Sequence, residues 1–272
     1  LACQRARAET WLLEGAPPRI RWSSGAAAWH GLAAEPHPTL ESVLSRYSEP
    51  ARRRLRQAFE SACRQGVAFD LGVERVDPSQ SGDPLHLRWI ARPGGSPGQV
   101  VGLLVDETAE LDAAWRQRVQ QVYLQAIADG QSLMGTLESL LEAFEARHAG
   151  SIGSILRVDQ SARTIHHAAG ESLPLAYREA IEGLEIGPCV GSCGTAAFRG
   201  ERVVVGDIAT DPLWRDYAAV ALQHGLRACW STPVRDAAQR VQATFAIYYR
   251  EPRLPSRSEL ADIDALVKLV GL

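Results

Sequence analysis

The sequence lacks a large excess of charge of either sign, long apolar runs and a high cysteine content. Its 272 residues include one methionine and five cysteines, and 29 basic residues stand against 32 acidic ones. This balance gives no bulk attraction to nucleic acid or to an anionic membrane. The longest apolar runs, such as residues 100–105, have the length of a strand and not of a membrane-spanning helix. We therefore predict a globular chain with no membrane insertion in this segment and no nucleic-acid partner.

The start of the chain lacks the usual signals. The sequence begins at Leu1, and Met134 is its single methionine. No charged segment followed by an apolar one opens it, so a secretory leader is not indicated. We interpret the chain as part of a longer protein and expect an output domain beyond Leu272.

The cysteines are too few for a disulfide framework, and their number is odd. They stand at positions 3, 63, 189, 193 and 229. This usage is typical of a reducing compartment and predicts a cytoplasmic location. Cys189 and Cys193 are separated by three residues, and no histidine follows at zinc-finger spacing. The sequence therefore predicts no metal site.

Residues 1–109 combine helical and alternating apolar patterns. Pro50 near the start and Gly66 at the end indicate a helix between them. Strands are predicted at residues 9–13, 19–22, 67–76, 85–91 and 100–106. We interpret His30, His37 and His86 as surface or loop residues and not as ligands. This half of the chain predicts an α+β domain.

A helix without breakers is predicted at residues 107–129. Apolar residues recur there in steps of three or four, at Leu111, Trp115, Val119, Val122 and Ala126. One interpretation is an interdomain helix packed on its own domains, and the other is a parallel dimer helix. Because the helix stands between two compact units, we favour a homodimer through the residues from Leu111 to Ala126. Residues 110–130 are predicted to be a linker helix.

Residues 131–272 predict a second α+β domain. Helices are predicted at 132–147, 174–182, 195–198, 212–224 and 256–272. Strands are predicted at 151–158, 164–168, 202–205, 227–234 and 242–249. The predicted fold class is α+β, with two domains that each contain a central antiparallel sheet flanked by helices, joined by a long helix. The helix at 256–272 is a second candidate for the dimer contact.

Several short motifs of the second half occur in order. They are GSCGTAA at 191–197, DI at 207–208, DPLW at 211–214 and CWSTP at 229–233. Residues 131–272 therefore resemble the GAF domains of bacterial signalling proteins, of the type found in sensor histidine kinases and in cyclic-di-GMP cyclase and phosphodiesterase proteins. The resemblance implies a central antiparallel sheet with helices on its faces, and a sensory role.

The first half resembles a PAS domain. The features are Ser48 to Pro50 before the long helix, the strand patterns near Leu71 and Leu87, and GLLVDET at 102–108. The resemblance implies a sensory domain in front of the GAF domain. PAS domains can hold haem or flavin, but residues 48–66 contain no histidine and no Asn-Cys-Arg-Phe-like run occurs. Both of these cofactors are therefore disfavoured for the first half.

The cofactors of GAF domains are also disfavoured in the second half. A covalent bilin needs a Cys-His pair, but Gly194 follows Cys193 and Trp230 follows Cys229. Haem held without a covalent bond, through His167 or His224, is also disfavoured, because a single histidine in an α+β core is more often a structural residue. The identity of any ligand is therefore not predicted.

A ligand pocket is predicted beside the glycine-rich segment that contains Cys193. Its candidate lining is Cys193, Trp214, Tyr217, His224 and Trp230. A thiol at a helix N-terminus has a lowered pKa, which makes Cys193 a redox candidate, with Cys229 as the second cysteine. No catalytic residue is assigned.

These observations predict a non-enzymatic sensory module. It binds a small ligand or responds to redox state, and it relays the signal through helices to a C-terminal output domain for cyclic-di-GMP turnover or histidine kinase activity. One alternative is a thiol enzyme that is similar to free methionine-(R)-sulfoxide reductase and uses Cys193. The other alternative is a dimerisation module without a ligand.

Overall fold

The computed structural model describes residues 7–35, 37–75 and 84–271. Close contacts divide the chain into two units, Leu1–Ala114 and Trp115–Leu272. Each unit contains one five-stranded sheet whose strands pair antiparallel, which confirms the predicted α+β class. Cys3, Leu272 and the end of the strand predicted at 67–76 lie outside the described residues.

The first unit places three helices between its second and third strands. The strands are β1 (Arg7–Glu14), β2 (Arg19–Trp22), β3 (Phe69–Arg75), β4 (Leu85–Pro93) and β5 (Val100–Asp106), in the sheet order β2-β1-β5-β4-β3. The helices are α1 (Ser24–Trp29), α2 (Leu40–Leu44) and α3 (Glu49–Gln65). Gly66 ends α3 because it adopts a φ of 67°, a left-handed conformation that glycine tolerates. Phe59 of α3 packs on Trp11 and Trp89 and closes the core.

His30 is fully buried, in contrast to its predicted place on the surface or in a loop. Its Nδ1 lies 2.8 Å from the carbonyl oxygen of Ala26, and its Nε2 lies 2.6 Å from the hydroxyl of Tyr47. Burial lowers the pKa of His30 to about 4. The prediction failed because α1, at six residues, is too short for an apolar period to show which side faces the core.

The helix predicted at 107–129 is α4 (Thr108–Ala128), and the residues of its predicted apolar stripe differ in burial. Val119 and Ala126 are buried in the second unit, together with Tyr123. Leu111 and Val122 are 45% and 55% exposed. The stripe therefore has one part that packs within the chain and another part that faces outward.

The second unit contains the remaining five strands and five further helices. The strands are β6 (Ile152–Asp159), β7 (Thr164–Ala169), β8 (Val203–Val205), β9 (Ala228–Arg235) and β10 (Val241–Tyr249), in the order β7-β6-β10-β9-β8. The helices are α5 (Leu133–Arg147), α6 (Leu175–Ile181), α7 (Gly191–Arg199), α8 (Ala218–Gln223) and α9 (Arg257–Val270). Ser256 starts α9 with a reciprocal hydrogen-bonded cap to Glu259.

The sheet of the second unit has an apolar core on each face. Cys229 belongs to the core with α6, α7 and α8, whereas Trp230 belongs to the core with α5 and α9. Neighbouring residues of a strand point to opposite faces, so adjacent positions of β9 serve different cores. Any site beneath α7 therefore uses every second residue of β9 and β10.

Two predicted helices of the second unit have different bounds in the structure. The helix predicted at 212–224 is a short turn at Pro212–Trp214 followed by α8. Trp214 is drawn into the core, where its Nε1 donates to Ser192 Oγ at 3.1 Å. The helix predicted at 195–198 is α7, which begins at Gly191, so Cys193 lies inside its first turn.

No helix of the described ranges is long and apolar enough to cross a membrane.

Candidate functional site

A small cavity lies between α6, α7 and the sheet of the second unit. Its volume is about 30 Å³, and its lining comprises Leu156, Ile165, Tyr177, Ile181, Leu184, residues 190–194, Trp214, Tyr217 and Tyr248. A buried water needs about 10–15 Å³ on this measure, so the cavity has room for about two waters. Sites for metabolites are larger, at roughly 300 Å³ or more. In this conformation the cavity takes only a ligand of very few atoms.

The first turn of α7 is held in place by hydrogen bonds on both sides. Ser192 Oγ donates to the carbonyl oxygen of Cys229 at 2.9 Å and accepts from Trp214. Thr195 Oγ1 accepts from the backbone nitrogen of Val190 at 3.0 Å. These bonds fix the position of Cys193 between Ser192 and Thr195, so its thiol occupies a defined place over the sheet.

The Cys193 thiol is surrounded by proton donors. Its Sγ lies 3.6 Å from the hydroxyl of Tyr248. The neighbouring thiol of Cys229 lowers the pKa of Cys193 to about 7 against the opposing effect of burial, and the hydroxyl of Tyr248 lowers it further. Burial raises the pKa of Cys229 well above its ordinary value. Cys193 is therefore the thiol of this pair that ionises first.

Three hydroxyls of the sheet beneath α7 are fully buried. They belong to Ser154, Ser231 and Thr244, and none has a hydrogen-bond partner among the described residues. Ala246 of β10 pairs with Ser154 on one side and with Ser231 on the other, and Thr244 is two residues away on the same face. The small side chain of Ala246 therefore stands at the centre of a group of unsatisfied donors.

The structure brings some of the predicted site residues together and separates others. Cys193, Trp214 and Tyr217 line the cavity. His224 lies outside this lining and packs its ring 5.9 Å from that of Tyr177. Trp230 lies on the opposite face of the sheet, where its Nε1 donates to the carbonyl oxygen of Arg253. The alternation of β9 explains this, because Cys229 and Trp230 cannot both face α7.

The sequence indicated Tyr217 but not the other two tyrosines that line the cavity. Tyr177 comes from α6 and Tyr248 from the end of β10, and their rings meet edge to face at 5.9 Å. Burial raises the pKa of both tyrosines well above the ordinary value, so both hydroxyls stay protonated and can donate. The alternation of 242–249 shows that Tyr248 shares a face with Thr244, but no local pattern shows what that face meets.

A buried carboxylate connects three helices of the second unit. Asp262 of α9 is fully buried and accepts from Arg116 of α4 at 2.9 Å and from Arg147 of α5 at 2.7 Å. Its Oδ2 lies 3.0 Å from Nε2 of His148. Burial by itself raises the pKa of Asp262, but the hydrogen bonds and charges of these three partners outweigh it and keep the pKa below its ordinary value.

Among the residues that the structure describes, no group of three or more His, Cys, Asp or Glu side chains could hold a metal ion. His167 Nε2 lies 3.3 Å from a guanidinium nitrogen of Arg178, and burial lowers the pKa of His167. Neither His167 nor His224 lines the cavity beneath α7.

The second unit is thus a five-stranded antiparallel sheet with helices on both faces and a small cavity under α7. The sequence model of the GAF domain matches residues 130–272, more than half of the chain, so the chain belongs to the GAF domain family. This confirms the predicted GAF half.

A curated relative is the "Methyl sulfide methyltransferase-associated sensor" of Methanosarcina acetivorans. It is 33% identical over 171 residues, which cover 63% of this chain and 17% of that protein. The alignment thus spans less than a fifth of the relative. Its name describes a sensor.

Two solved structures illustrate the shared fold. The GAF domain of a phosphoenolpyruvate-protein phosphotransferase from Coxiella burnetii has a TM-score of 0.50 and 16% identity, covering 60% of this chain and 92% of that one. Free methionine-R-sulfoxide reductase from Neisseria meningitidis, in complex with its substrate, has a TM-score of 0.48 and 19% identity, covering 59% and 87%.

Proposed function

We propose that this chain is the sensory region of a larger signalling protein and is not an enzyme. In this proposal residues 1–109 form a PAS-like domain, residues 110–130 a linker helix and residues 131–272 the GAF domain. The cavity beneath α7 detects a small molecule or a redox change. The helices α4 and α9 pass the signal to a separate output domain, of the cyclic-di-GMP or histidine kinase type.

The observation that carries this proposal is the carboxylate of Asp262. It is the point at which α4, α5 and α9 meet through Arg116, Arg147 and His148. A buried charge cluster favours a small number of discrete arrangements, because a half-paired buried charge is costly. A shift of α9 is therefore expected to change the partners of Asp262 and to move α4. A ligand that favours one of two packings of α9 on the sheet would in this way also change the position of α4.

We further propose that the chain is a homodimer through α4. Val122 is 55% exposed, and Leu111 of the predicted stripe, about 20° from it round the helix, is 45% exposed. Large apolar side chains that remain on the surface of a folded unit often mark an interaction surface. The buried part of the stripe, at Val119 and Ala126, holds the helix on its own unit and leaves Val122 for the partner.

The enzyme alternative rests on the thiol of Cys193. The cavity volume of about 30 Å³ disfavours it, because an amino-acid substrate does not fit that space. The test is turnover of free methionine-(R)-sulfoxide with dithiothreitol as reductant, by the full chain and by Cys193→Ser. We expect no turnover by either protein. Turnover that Cys193→Ser abolishes would overturn the sensory proposal.

The sensory proposal is tested by hydrogen exchange in α9. The full chain is screened for shifts of melting temperature with ligands of few heavy atoms, such as formate and acetate, and with a mild oxidant. For each condition that shifts it, amide exchange is measured in α4 and α9. We expect protection to change in both helices, and less so in Asp262→Asn. If none of these conditions shifts the melting temperature, the ligand-free dimerisation module is the better description.

A further inference from the structure

A long groove crosses the sheet of the first unit on the face that points away from α3. Its volume is about 910 Å³, which is within the range of sites for small organic molecules. His37 and three consecutive residues at each of four strands line it, namely 10–12 at β1, 21–23 at β2, 90–92 at β4 and 101–103 at β5. Four neighbouring strands span roughly 14 Å, whereas three residues of one strand span only about 7 Å. The groove therefore has the shape of one extended chain that lies across the strands.

The floor of the groove is an apolar strip. Leu104 is fully buried in the core with α3, so its neighbour Leu103 faces the opposite side of the sheet. The strand register places Leu103 beside Ile90 and Leu12 beside Val101 on this outer face. Leu103 is 41% exposed, and the other three side chains are half-buried. The strip thus offers apolar surface that nothing in the first unit covers completely.

The charge of the groove is of one sign. The described residues that line it include Arg21, His37 and Arg92, but no aspartate or glutamate. Arg92 is exposed, and its guanidinium has no hydrogen-bond or ion-pair partner among the residues that the structure describes. At the other end of the groove, Arg21 already donates to Glu14 Oε1 at 3.3 Å. The unpaired positive charge therefore stands at the β4 end.

Arg92 is in line with the apolar strip. It pairs with Val101 between β4 and β5, Val101 pairs with Leu12 between β5 and β1, and Leu12 pairs with Arg21 between β1 and β2. These four residues form one row across the sheet, with two apolar side chains between the arginines. A ligand whose anionic end bonds to Arg92 would therefore lay its remaining length over Val101 and Leu12.

We propose that this groove binds a linear amphiphilic carboxylate, a medium-chain fatty acid, with its head on Arg92 and its chain over Val101 and Leu12. A guanidinium matches a carboxylate because it can donate to both oxygen atoms at once. The length of about 14 Å fits an extended chain of about ten to twelve carbons. This site belongs to the first unit, so it is a second ligand site beside the one proposed beneath α7.

A second copy of the chain is a poorer occupant of the groove. Two copies packed sheet to sheet would each bring Arg92 to the interface, and the described lining contains no carboxylate to pair with it. A charge that is buried without a partner is costly. A fatty acid instead supplies both the apolar chain and the missing negative charge.

The first test compares ligands that differ in one part of the molecule. Binding to the full chain is measured by isothermal titration calorimetry, with every ligand kept below its micelle concentration. Decanoate has the head and the chain, butyrate has the head with a short chain, and decyltrimethylammonium has the chain with the opposite charge. We expect saturable binding of decanoate at one site, at least about tenfold weaker binding of butyrate and no binding of the cation. No saturable binding of decanoate, or equal binding of the cation, would overturn the proposal.

The second test locates the site with matched variants. Arg92→Gln removes the charge and should raise the Kd of decanoate about tenfold. Its control is Arg54→Gln, which removes an exposed arginine of α3 outside the groove and should leave the Kd unchanged. Leu103→Asp places a carboxylate in the apolar strip and should abolish binding. Its control is Val67→Asp, at a residue that is 49% exposed outside the groove, and it should bind normally. Equal effects of Arg92→Gln and Arg54→Gln in folded proteins would refute this site.

Two further measurements separate the other occupants of this face. Light scattering gives the oligomeric state of the wild type and of Leu103→Asp, which we expect to be the same. If Leu103→Asp dissociates a dimer and the wild type does not bind decanoate, the face is an interface between copies and the proposal is wrong. Sedimentation with phosphatidylglycerol vesicles tests a membrane surface. Binding to the vesicles without binding to free decanoate would likewise contradict the fatty acid site.

Discussion

The guanidinium of Arg116 lies 2.9 Å from the carboxylate of Asp262, although the two residues are 146 positions apart in the chain. The pair joins α4 to α9, and Arg147 of α5 contacts the other carboxylate oxygen. Because Asp262 is fully buried, its charge depends on these partners. Ion pairs on the surface contribute little, whereas removal of one member of a buried cluster leaves uncompensated charge.

Replacement of Asp262 is expected to be costly. Asp262→Asn keeps the shape but leaves Arg147 and Arg116 without their counter-charge, so the free energy of unfolding should fall by about 3 kcal/mol. Urea unfolding monitored by tryptophan fluorescence measures this. The matched control is Asp264→Asn, two residues further on α9, whose side chain is 53% exposed and pairs with Arg202. It should cost under about 1 kcal/mol. Equal losses in both variants would contradict a special role for Asp262.

The first unit should lose stability in mild acid because of His30. Its pKa in the folded protein is about 4, against 6.5 for an ordinary histidine. Below pH 6.5 His30 is protonated in the unfolded chain but stays neutral in the folded chain until the pH approaches 4. The free energy of unfolding therefore falls as the pH drops from 6.5 towards 4. The full loss is about 3 kcal/mol on this shift. Urea titrations at pH 7.0 and pH 4.5 should show the loss in wild type and in His37→Gln, but much less of it in His30→Gln. Equal pH dependence in His30→Gln would refute this assignment.

The proposed dimer is tested by one charge on α4. Val122→Glu places a carboxylate on the exposed part of the stripe and should convert the dimer to monomer, as measured by light scattering after size exclusion. Leu124→Glu introduces the same charge about 200° round the helix, at a residue that is 47% exposed. This control should remain dimeric. A monomeric wild type would refute the proposed dimer, and dimers in both variants would place its interface outside this part of α4.

The hydrogen bond between Ser192 and Trp214 should stabilise the first turn of α7. Ser192→Ala leaves the Trp214 indole nitrogen, which belongs to a buried side chain, without its acceptor. The free energy of unfolding should therefore fall by about 1–3 kcal/mol. The double variant Ser192→Ala with Trp214→Phe removes both partners, and it should cost less than the sum of the two single changes. If the loss in the double variant equals the sum of the two single losses, the Ser192–Trp214 hydrogen bond makes no net contribution to the free energy of unfolding.

Most of the fold was predictable because its strands carry their own pattern. The strand at Val100–Asp106 was predicted at its observed bounds, and the helix before Gly66 ends where the glycine indicated. Strand alternation and helix caps are local properties. They can be recognised without knowing which other segments the strand or helix packs against. The prediction for 212–224 failed because the side chain of Trp214 is engaged by Ser192, a contact that no local pattern contains.

The candidate site shows where such prediction stops. The sequence indicated Cys193 because a thiol in a glycine-rich segment at a helix start is locally recognisable. It could not assign Trp230 to the opposite core, because the choice of face depends on which helices cover the sheet. It also missed Tyr177 and Tyr248, which come from separate elements and meet only in the cavity.

The sequence by itself determined a chain with few cysteines, no long apolar run and two α+β units, because composition and periodicity act within single segments. The three-dimensional fold alone brings the Cys193 thiol within 3.6 Å of the Tyr248 hydroxyl and makes Asp262 the contact point of three helices. These relationships depend on strand register and on which face each helix covers. Both are set by burial between residues far apart in the chain, so they are absent from any local stretch of sequence.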